Sequence, residues 1–453
     1  MKYQSISPLT QEIFFEVDIL SNDTLEKYVE KSNSTFELWK NKTIEERVEV
    51  LPKLATLLHE RKAELARLSA IEMGKPITEG IAEVEKCATL CEHYYNHAKD
   101  YAKPNIFDAQ HSLHYVPMGI ILSIMPWNFP YWQVFRAVIP TLVAGNVVLV
   151  KHAPNVPQCS LAIAKIFVDA GVEEGVYTNL FISHQQVSQL IADKRIKGIS
   201  LTGSTRAGIA VATQAAQYLK KVVLELGGSD PLIVTKHANI ENAIKVCIRS
   251  RFGNCGQSCI AAKRILVQSD IADKFIDLLL AQIKSLRVGN PLDPATQIGP
   301  MARKDLLETA LSQLQDALEK GATCLVGGSC KDDNSNFLLP TLLTNVQPNM
   351  RVMQEEVFAP IASIYVFDEI DHAIEVANNT EYGLGASVWT QDRAEASYIA
   401  SKLLAGNVFV NGLVRSDPKY PFGGIKLSGV GKELSYWGMQ EFCYPILRAD
   451  LTE

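Results

Sequence analysis

Five apolar runs between residues 119 and 226 decide the fold: GIILSIM (119–125), NVVLVK (146–151), VYTNLFI (176–182), IKGISLT (196–202) and KVVLEL (221–226). Continuous apolar runs of this length are typical of strands that are buried on both faces of a sheet. The segments between them are long enough for crossover helices, which we expect at 131–144, 158–170, 185–193 and 205–218. The alternation predicts a doubly wound α/β domain with a mostly parallel sheet.

The flanking sequence extends this pattern in both directions. Residues 22–100 have helical periodicity, and Pro52 is expected to kink or split the helix predicted over 43–69. A second alternation of strands and helices begins at PLIVT (231–235) and continues to NVFVN (407–411), which predicts another α/β domain. Two further strand-like segments, 111–117 and the tail near 441–451, are expected to form a small projecting sheet suited to subunit pairing.

Composition limits the function. The chain has 453 residues, 47% of them hydrophobic, which predicts a globular protein of two or three domains. The net charge of −6 and the lack of a long basic run argue against nucleic acid as a partner. No apolar run approaches the roughly 20 residues that span a bilayer, and the N-terminus lacks a signal-peptide pattern. The nine scattered cysteines favour reduced thiols in a cytoplasmic protein, and their spacing predicts no metal site.

Cys259 is the candidate nucleophile. It ends the loop Phe252-Gly-Asn-Cys-Gly-Gln-Ser-Cys259, whose small residues leave a thiol accessible and whose backbone N–H groups would favour a thiolate. The alternative is that Cys259 is a small buried apolar residue, as most cysteines are. Cys255 has the same alternative, and a disulfide between the two under oxidation stays open because their geometry is unknown.

Two further side chains have contexts that suit catalysis. Glu225 lies at the end of an apolar strand before a Gly-Gly turn, where desolvation would raise its pKa toward that of a general base near neutral pH. An ion pair with an arginine is the alternative. Asn128 lies between Pro126 and Pro130 at a strand end, where its amide is placed to donate to an oxyanion or simply to form a turn.

The segment Leu201-Thr-Gly203-Ser204-Thr-Arg-Ala-Gly208 lies where a strand meets a helix. Unpaired N–H groups at such a helix start bind anions, and a pyrophosphate would fit. The segment matches neither a P-loop nor the GxGxxG pattern, so taken alone it is a weak signal. Two other turn-dense segments, around Glu355-Glu356 and Pro421-Phe-Gly-Gly424, are by themselves ordinary loops.

Taken in order, these motifs resemble the aldehyde dehydrogenase superfamily over nearly the whole chain. The residues that carry the resemblance are Pro126-Trp-Asn-Phe-Pro130, Lys151, Thr202-Gly-Ser-Thr205, Glu225-Leu-Gly-Gly228, Asn254 with Gly256-Gln257, Cys259, Glu355-Glu356 with Phe358, and Pro421-Phe-Gly-Gly424. The sequences Lys-His-Ala-Pro-Asn (151–155) and Glu-Leu-Gly-Gly-Ser-Asp-Pro (225–231) are most similar to the NAD(P)-dependent succinate-semialdehyde dehydrogenases.

The resemblance implies a catalytic role for three residues. Cys259 would attack the aldehyde carbon to give a thiohemiacetal, while the Asn128 amide and the Cys259 backbone N–H hold the oxyanion. Hydride loss to the nicotinamide would leave a thioester, which water activated by Glu225 would hydrolyse. The same resemblance assigns six residues to the dinucleotide: Trp127, Lys151, Gly203, Ser204, Glu356 and Phe358. Of these, Lys151 would contact the adenosine ribose, Ser204 the pyrophosphate and Glu356 the nicotinamide ribose, and Phe358 would pack beside the nicotinamide.

One departure from the family bears on the choice of dinucleotide. Many relatives carry a glutamate three residues after the lysine, and Pro154 stands there in this chain. Without that carboxylate a 2′-phosphate is repelled less, and Lys151 together with His152 would favour it. Pro154, however, donates no hydrogen bond. NAD is therefore the first choice and NADP the alternative.

For the substrate, Trp132 and Arg136 lie one helical turn apart and are expected to face the tunnel mouth together. Arg136 would bind a distal carboxylate, which suits succinate semialdehyde; the alternative is a salt bridge elsewhere in the protein. Some relatives place a second arginine where this chain has Gly253. Ser416 would supply a neutral contact, with Arg415 beside it as a substitute cation.

The resemblance also implies a division of the chain. Residues 1–102 and 118–227 would bind the cofactor, 228–431 would form the catalytic domain, and 103–117 with 432–453 would form oligomerisation strands of a homodimer or homotetramer. The alternatives for function are a dehydrogenase of other short aldehydes (glutarate semialdehyde, aliphatic or aromatic), a cofactor-free thioesterase or acyltransferase, and a non-catalytic protein. The last disagrees with the presence of Cys259, Glu225 and Asn128 together.

Overall fold

The structure is a computed structural model that describes residues 2–332 and 335–452. Within those ranges the chain forms sheets of six, seven, three and two strands. The two large sheets are mostly parallel and the two small ones are antiparallel. The predicted α/β architecture with a small β extension is confirmed. No helix of the described residues is long and apolar enough to cross a membrane.

The strands of the described residues are numbered in chain order. They are β1 (Lys2–Ile6), β2 (Ile13–Asp18), β3 (Asn105–Ile106), β4 (His111–Pro117), β5 (Ile120–Ile124), β6 (Val147–Lys151), β7 (Tyr177–Leu180), β8 (Ile196–Thr202), β9 (Lys221–Glu225), β10 (Asp230–Val234), β11 (Ala262–Gln268), β12 (Thr323–Val326), β13 (Thr341–Thr344), β14 (Ile361–Phe367), β15 (Gly385–Trp389), β16 (Asn407–Val410), β17 (Gly429–Val430) and β18 (Cys443–Ala449).

The helices are numbered in the same way. They are α1 (Asn22–Trp39), α2 (Ile44–Val48), α3 (Leu51–Met73), α4 (Ile77–Tyr101), α5 (Trp132–Val143), α6 (Pro157–Asp169), α7 (His184–Ala192), α8 (Thr205–Ala216), α9 (Ile240–Phe252), α10 (Ser269–Lys284), α11 (Lys304–Glu319), α12 (Arg351–Gln354), α13 (Ile370–Asn378), α14 (Arg393–Lys402) and α15 (Ser435–Glu441). Short 3-10 turns cover Gly253–Gly256 and Lys426–Ser428.

The six-stranded sheet has the order β17-β9-β8-β5-β6-β7. Strands β5 to β9 are parallel, and each lies within one of the five apolar runs. The chain proceeds outward from β5 to β7, then returns to β8 on the other side of β5. Ligands of doubly wound sheets bind at the carboxyl edge where the order reverses in this way. Asn128 follows β5, Lys151 ends β6, and Glu225 ends β9, so the topology brings these three residues to that edge.

The seven-stranded sheet has the order β12-β13-β14-β11-β10-β15-β16, with only the β12–β13 pair antiparallel among its described strands. Strand β13 was not predicted, because only two residues of its Thr-Leu-Leu-Thr sequence are apolar. The loop that carries Cys259 runs between α9 and β11, at the centre of this sheet.

The predicted pairing of 111–117 with the tail is confirmed, since β4 and β18 pair antiparallel from Cys443 opposite Pro117 to Ala449 opposite His111. The N-terminal hairpin of β1 and β2 was not predicted. Pro52 splits the helix expected over 43–69, because α2 ends at Val48 and Pro52 takes a first-turn position of α3, where its missing N–H does no harm.

Candidate active site

A cleft of about 630 Å³ opens beside Cys259. Its walls come from α4, α5, the segment between α9 and β11, and the loop around 413–418. Trp132, Arg136 and Ser416, the three residues predicted for the substrate, all line it together with Cys259. The cleft therefore brings the predicted nucleophile and the predicted substrate residues to one cavity.

The loop before Cys259 has a strained backbone. Asn254 and Cys255 have φ values of 52° and 56°, and Gly256 follows with 72°, so three consecutive residues are left-handed. The half-buried Glu79 and the buried Arg251 hold this conformation. Glu79 accepts the Asn254 N–H at 2.6 Å, and Arg251 donates to the carbonyl of Gly256 at 2.9 Å. The loop is thus fixed by contacts outside itself.

Cys259 is half-buried at the cleft, and its backbone carbonyl accepts a hydrogen bond from Lys263 Nζ at 2.6 Å. Burial raises the pKa of the thiol to about 12. The expectation that nearby N–H groups favour a thiolate is therefore wrong for the resting site, because desolvation disfavours the charged sulfur more than its neighbours stabilise it. The sulfur must lose its proton as it reacts.

Asn128 is buried next to the cysteine loop. Its Nδ2 donates to the carbonyl of Gln257 at 3.1 Å, and Asn254 Nδ2 donates to the carbonyl of Asn128 at 2.8 Å. An amide has two N–H donors, so one donor of Asn128 Nδ2 is left for a substrate oxygen. These bonds tie the segment after β5 to the cysteine loop.

Glu225 is 3% exposed at the carboxyl end of β9. Burial raises the pKa of its carboxyl well above the usual range, while the charge of Arg136 acts in the opposite direction. Its Oε1 has no hydrogen-bond partner among the described residues. A Cβ atom at Gly423 would lie 2.7 Å from that oxygen, so the glycine of the Pro421-Phe-Gly-Gly424 motif leaves room for the carboxyl.

The Gly227-Gly228 turn brings Glu225, Glu356 and Cys259 to one place. The Gly228 N–H donates to Glu356 Oε1 at 3.0 Å. A Cβ at Gly227 would lie 2.7 Å from Glu356 Oε2, and one at Gly228 would lie 2.6 Å from the carbonyl oxygen of Cys259. Glycines are required here because the backbone passes directly against the other two motifs.

The predicted dinucleotide residues lie along the carboxyl edge of the six-stranded sheet. Ser204 is the N-cap of α8, and its hydroxyl accepts the Ala207 N–H at 3.3 Å. Gly203 precedes it and donates its N–H to the carbonyl of Glu225 at 3.0 Å. The rings of Trp127 and Phe358 meet edge to face with centroids 5.8 Å apart. The start of α8 is suited to an anion, as the sequence predicted.

Lys151 is 7% exposed, and burial lowers its pKa to about 8. No acidic side chain of the described residues pairs with its ammonium, which lies 5.6 Å from the ring centroid of Tyr3 in β1. His152 does not join it as a phosphate ligand. That ring is buried between the Pro130 carbonyl, at 2.8 Å from Nε2, and the Ala153 N–H, and burial lowers its pKa to about 4.

Arg136 differs from the expectation of a free cation. Its Nε is in a buried ion pair with Glu433, its Nη2 donates to Thr202 Oγ1 at 3.3 Å, and its guanidinium lies 5.1 Å from the Phe422 ring centroid. The salt-bridge alternative is therefore realised, and its charge is balanced within the protein. Glu433 was not predicted because it lies far along the chain, in a segment without a recognisable motif.

Lys86, which lines the cleft from α4, was not predicted as a site residue. The sequence around it shows only the i, i+4 periodicity of a helix, and a lysine on a helix is usually solvated.

Cys255 and Cys259 are both free thiols, and the Cys255 sulfur accepts the Gly299 N–H at 3.1 Å. The question of a disulfide between them stays a prediction.

The chain is similar to known proteins over nearly its whole length. A model of the aldehyde dehydrogenase family matches residues 1–445. The chain is 43% identical over 445 residues, 98% of both chains, to a Synechocystis sp. protein named "Probable succinate-semialdehyde dehydrogenase [NADP(+)]". It is 42% identical, over 97% of this chain and 96% of the relative, to an Escherichia coli succinate semialdehyde dehydrogenase [NAD(P)+]. The crystal structure of the Streptococcus pyogenes succinic semialdehyde dehydrogenase with NADP+ superimposes with a TM-score of 0.95, at 35% identity, covering 98% of this chain and 99% of that one.

Proposed function

The chain belongs to the aldehyde dehydrogenase family, and on that premise we propose that it oxidises succinate semialdehyde to succinate with NAD or NADP as the oxidant. The observation that carries the proposal is Cys259, half-buried in a cleft of about 630 Å³, with Asn128 and Glu225 fixed around its loop. The relatives named above support the choice of substrate.

The residues present fit a nicotinamide dinucleotide. The ammonium of Lys151 is buried without an acid among the described residues, and the start of α8 at Ser204 offers backbone N–H groups. We propose that Lys151 binds the adenosine ribose, Ser204 the pyrophosphate and Glu356 the nicotinamide ribose, with Gly203 beside the pyrophosphate and with Trp127 and Phe358 beside the ring. When bound, the nicotinamide would supply the hydride acceptor.

The first chemical step is addition of sulfur to the aldehyde. The Cys259 sulfur bonds to the carbonyl carbon and gives its proton to water in the cleft, while the carbon–oxygen π bond breaks and its electron pair stays on the oxygen as an alkoxide. The second donor of Asn128 Nδ2 and the Cys259 backbone N–H hold that oxygen. Burial disfavours a negative charge at this site, which is why the Cys259 thiol is protonated before it reacts. The hydrogen bonds to the alkoxide must therefore stabilise the negative charge that the addition creates.

The last step is hydrolysis of the thioester on Cys259. Glu225 takes a proton from water, the resulting hydroxide attacks the acyl carbon, and the carbon–sulfur bond breaks to release the acid and the Cys259 thiolate. The thiolate takes up a proton from water, and Glu225 returns its proton to the solvent. Burial raises the pKa of this carboxyl, which makes its ionised form a stronger base toward water. The room left by Gly423 supports this role, since Glu225 Oε1 has no partner that would have to be displaced.

An absorbance screen tests the substrate. Purified protein is given succinate semialdehyde, glutarate semialdehyde, butanal or benzaldehyde with NAD or NADP, and the reduced dinucleotide is followed. We expect kcat/KM for succinate semialdehyde to exceed that for butanal by about tenfold or more, since a charged hydrogen bond contributes about 1.5–3 kcal/mol.

The same screen separates the alternatives. A higher kcat/KM for butanal would contradict succinate semialdehyde as the substrate while leaving the dehydrogenase class in place. The slight preference for NAD over NADP stays a prediction, which is tested by comparing kcat/KM measured with NAD and with NADP. Hydrolysis of a thioester substrate without any dinucleotide would instead favour the thioesterase alternative.

We also propose that the chain forms homodimers or homotetramers through the sheet of β3, β4 and β18, and that it works in the cytoplasm. Ile106 and Leu447 on this sheet, and Phe107 directly after β3, are each at least 60% exposed in the single chain, which is unusual for large apolar side chains. Light scattering is expected to give the mass of a dimer or tetramer. A monomer at micromolar concentration would contradict the assembly.

A further inference from the structure

The loss of Arg136 to an ion pair with Glu433 leaves open which residue recognises a carboxylate in the cleft. We infer that Lys86 of α4, with the hydroxyl of Ser416, binds the distal carboxylate of the aldehyde and so determines specificity. The inference rests on the proposed function and adds to it a substrate-binding residue. Lys86 and Cys259 line the same cleft.

Lys86, Trp132 and Ser416 form one hydrogen-bonded cluster on the cleft wall. Lys86 Nζ donates to Ser416 Oγ at 2.8 Å and lies 4.0 Å from the centroid of the Trp132 ring. Trp132 Nε1 donates to the same Ser416 oxygen at 3.1 Å. Because that oxygen accepts two hydrogen bonds, its own hydrogen is left to donate. The cluster therefore presents an ammonium and a hydroxyl donor side by side, which suits a carboxylate.

No acid of the described residues forms an ion pair with Lys86, although the charges of Glu83 and Asp417 act on it from a distance. The neighbouring acids of α4 are engaged elsewhere, because Glu83 forms a buried ion pair with Lys75 and Glu85 pairs with Lys62 at 2.6 Å. Asp417, beside Ser416, accepts the Lys419 N–H at 3.1 Å. Among the described residues the ammonium thus contacts the Ser416 hydroxyl and the face of the Trp132 ring, and an anionic ligand would supply the negative charge that balances it.

Burial, with a smaller effect from the charge of Arg136, lowers the pKa of Lys86 to about 7. The lysine is charged below that pH and loses its proton above it. A bound carboxylate favours the charged form, so binding of an anionic aldehyde is expected to weaken as the pH rises above about 7. The other charged or titratable groups that face Lys86 or line the same cleft are Glu79, Glu83, Glu85 and Cys87 of α4, Arg136 of α5, Arg249 of α9, Cys259, and Arg415 and Asp417 of the loop.

The test compares Lys86→Met, Lys86→Arg and the wild type on succinate semialdehyde and butanal. Methionine keeps the length and apolar stem but removes the charge, so kcat/KM for succinate semialdehyde should fall by about 10- to 100-fold, through KM more than kcat. Turnover of butanal should change by less than about threefold. Lys86→Arg should restore much of the lost activity and keep KM nearly constant between pH 6 and 8.5, where the wild-type KM rises.

Lys99→Met is the matched control, because it removes a lysine of the same helix, α4, whose ion pair with Glu45 lies outside the cleft. Calorimetric binding of succinate without dinucleotide gives a second readout, in which Lys86→Met should weaken the Kd by about tenfold or more. Equal losses on both aldehydes, or unchanged succinate binding, would overturn the inference.

Failure of the inference can be told apart from failure of the proposed function. If the wild type prefers glutarate semialdehyde and Lys86→Met removes that preference, the proposed substrate is wrong and the role of Lys86 stands. If the wild type prefers succinate semialdehyde and the variant keeps the preference, the function stands and Lys86 has no part in it.

Discussion

Replacing Cys259 by alanine is expected to lower the rate of reduced-dinucleotide formation by about 10⁴-fold or more. Without the sulfur no thiohemiacetal forms, and the remaining donors around Asn128 have no covalent adduct to stabilise. The Cys259 side chain is half-buried at the cleft and makes no hydrogen bond to any of the described residues. Removing it therefore leaves the loop contacts of Glu79 and Arg251 in place. Dinucleotide affinity, measured by fluorescence, should therefore stay within about twofold.

Cys324→Ala is the matched control, since this part-exposed cysteine lies in β12, at the edge of the seven-stranded sheet. It should retain full activity. Turnover in Cys259→Ala within about tenfold of the wild type would remove Cys259 from the chemistry.

Replacing Glu225 by glutamine has the second largest expected effect. Addition and hydride loss do not need the carboxyl, so the first turnover should give a burst of reduced dinucleotide close to one equivalent per site. Hydrolysis then lacks its base, and steady-state kcat should fall by about 10²- to 10⁴-fold. Stopped-flow absorbance separates the two phases. Since only the deprotonated carboxyl accepts a proton and burial raises its pKa, wild-type deacylation should accelerate with rising pH, and the variant should not.

Glu308→Gln, at an exposed position of α11, changes the same functional group away from the site and should behave as the wild type. An unchanged steady state in Glu225→Gln, or the absence of a burst, would contradict its role as the base.

The sheets could be predicted because their strands are buried on both faces, so runs such as 119–125 and 146–151 are apolar throughout. The helix break at Pro52 follows from its missing N–H. Strand β13 and the hairpin of β1 and β2 have no comparable signal. Only two residues of β13 are apolar, and most side chains of β2 are exposed. Their positions depend on partners elsewhere in the chain.

The motif residues could be predicted because each needs a particular local backbone. Gly227, Gly228 and Gly423 exist to let the chain pass close to Glu356, Cys259 and Glu225. Charge pairing across the fold could not be predicted in the same way. Two contacts join segments about 300 residues apart, namely the ion pair of Arg136 with Glu433 and the hydrogen bond of Lys86 to Ser416. In neither case does the sequence around one residue indicate which residue it will contact.

The protonation state of Cys259 also required the structure. Small residues around a thiol favour exposure, but the density of protein around the loop decides the sign of the pKa shift, and here desolvation dominates. His152 also required the structure. It follows Lys151 in the sequence, but its ring is buried against the Pro130 carbonyl, where desolvation disfavours a positive charge.

The most direct measurement is mass spectrometry of Glu225→Gln mixed with succinate semialdehyde and either dinucleotide, then quenched in acid. We expect the intact protein to gain one succinyl group, and peptide mapping to place it on the peptide that contains Cys259. The adduct should be cleaved by hydroxylamine and should be missing when Cys259→Ala is added to the variant. Reduced dinucleotide formed without any acyl adduct, or an adduct on another cysteine, would contradict covalent catalysis by Cys259.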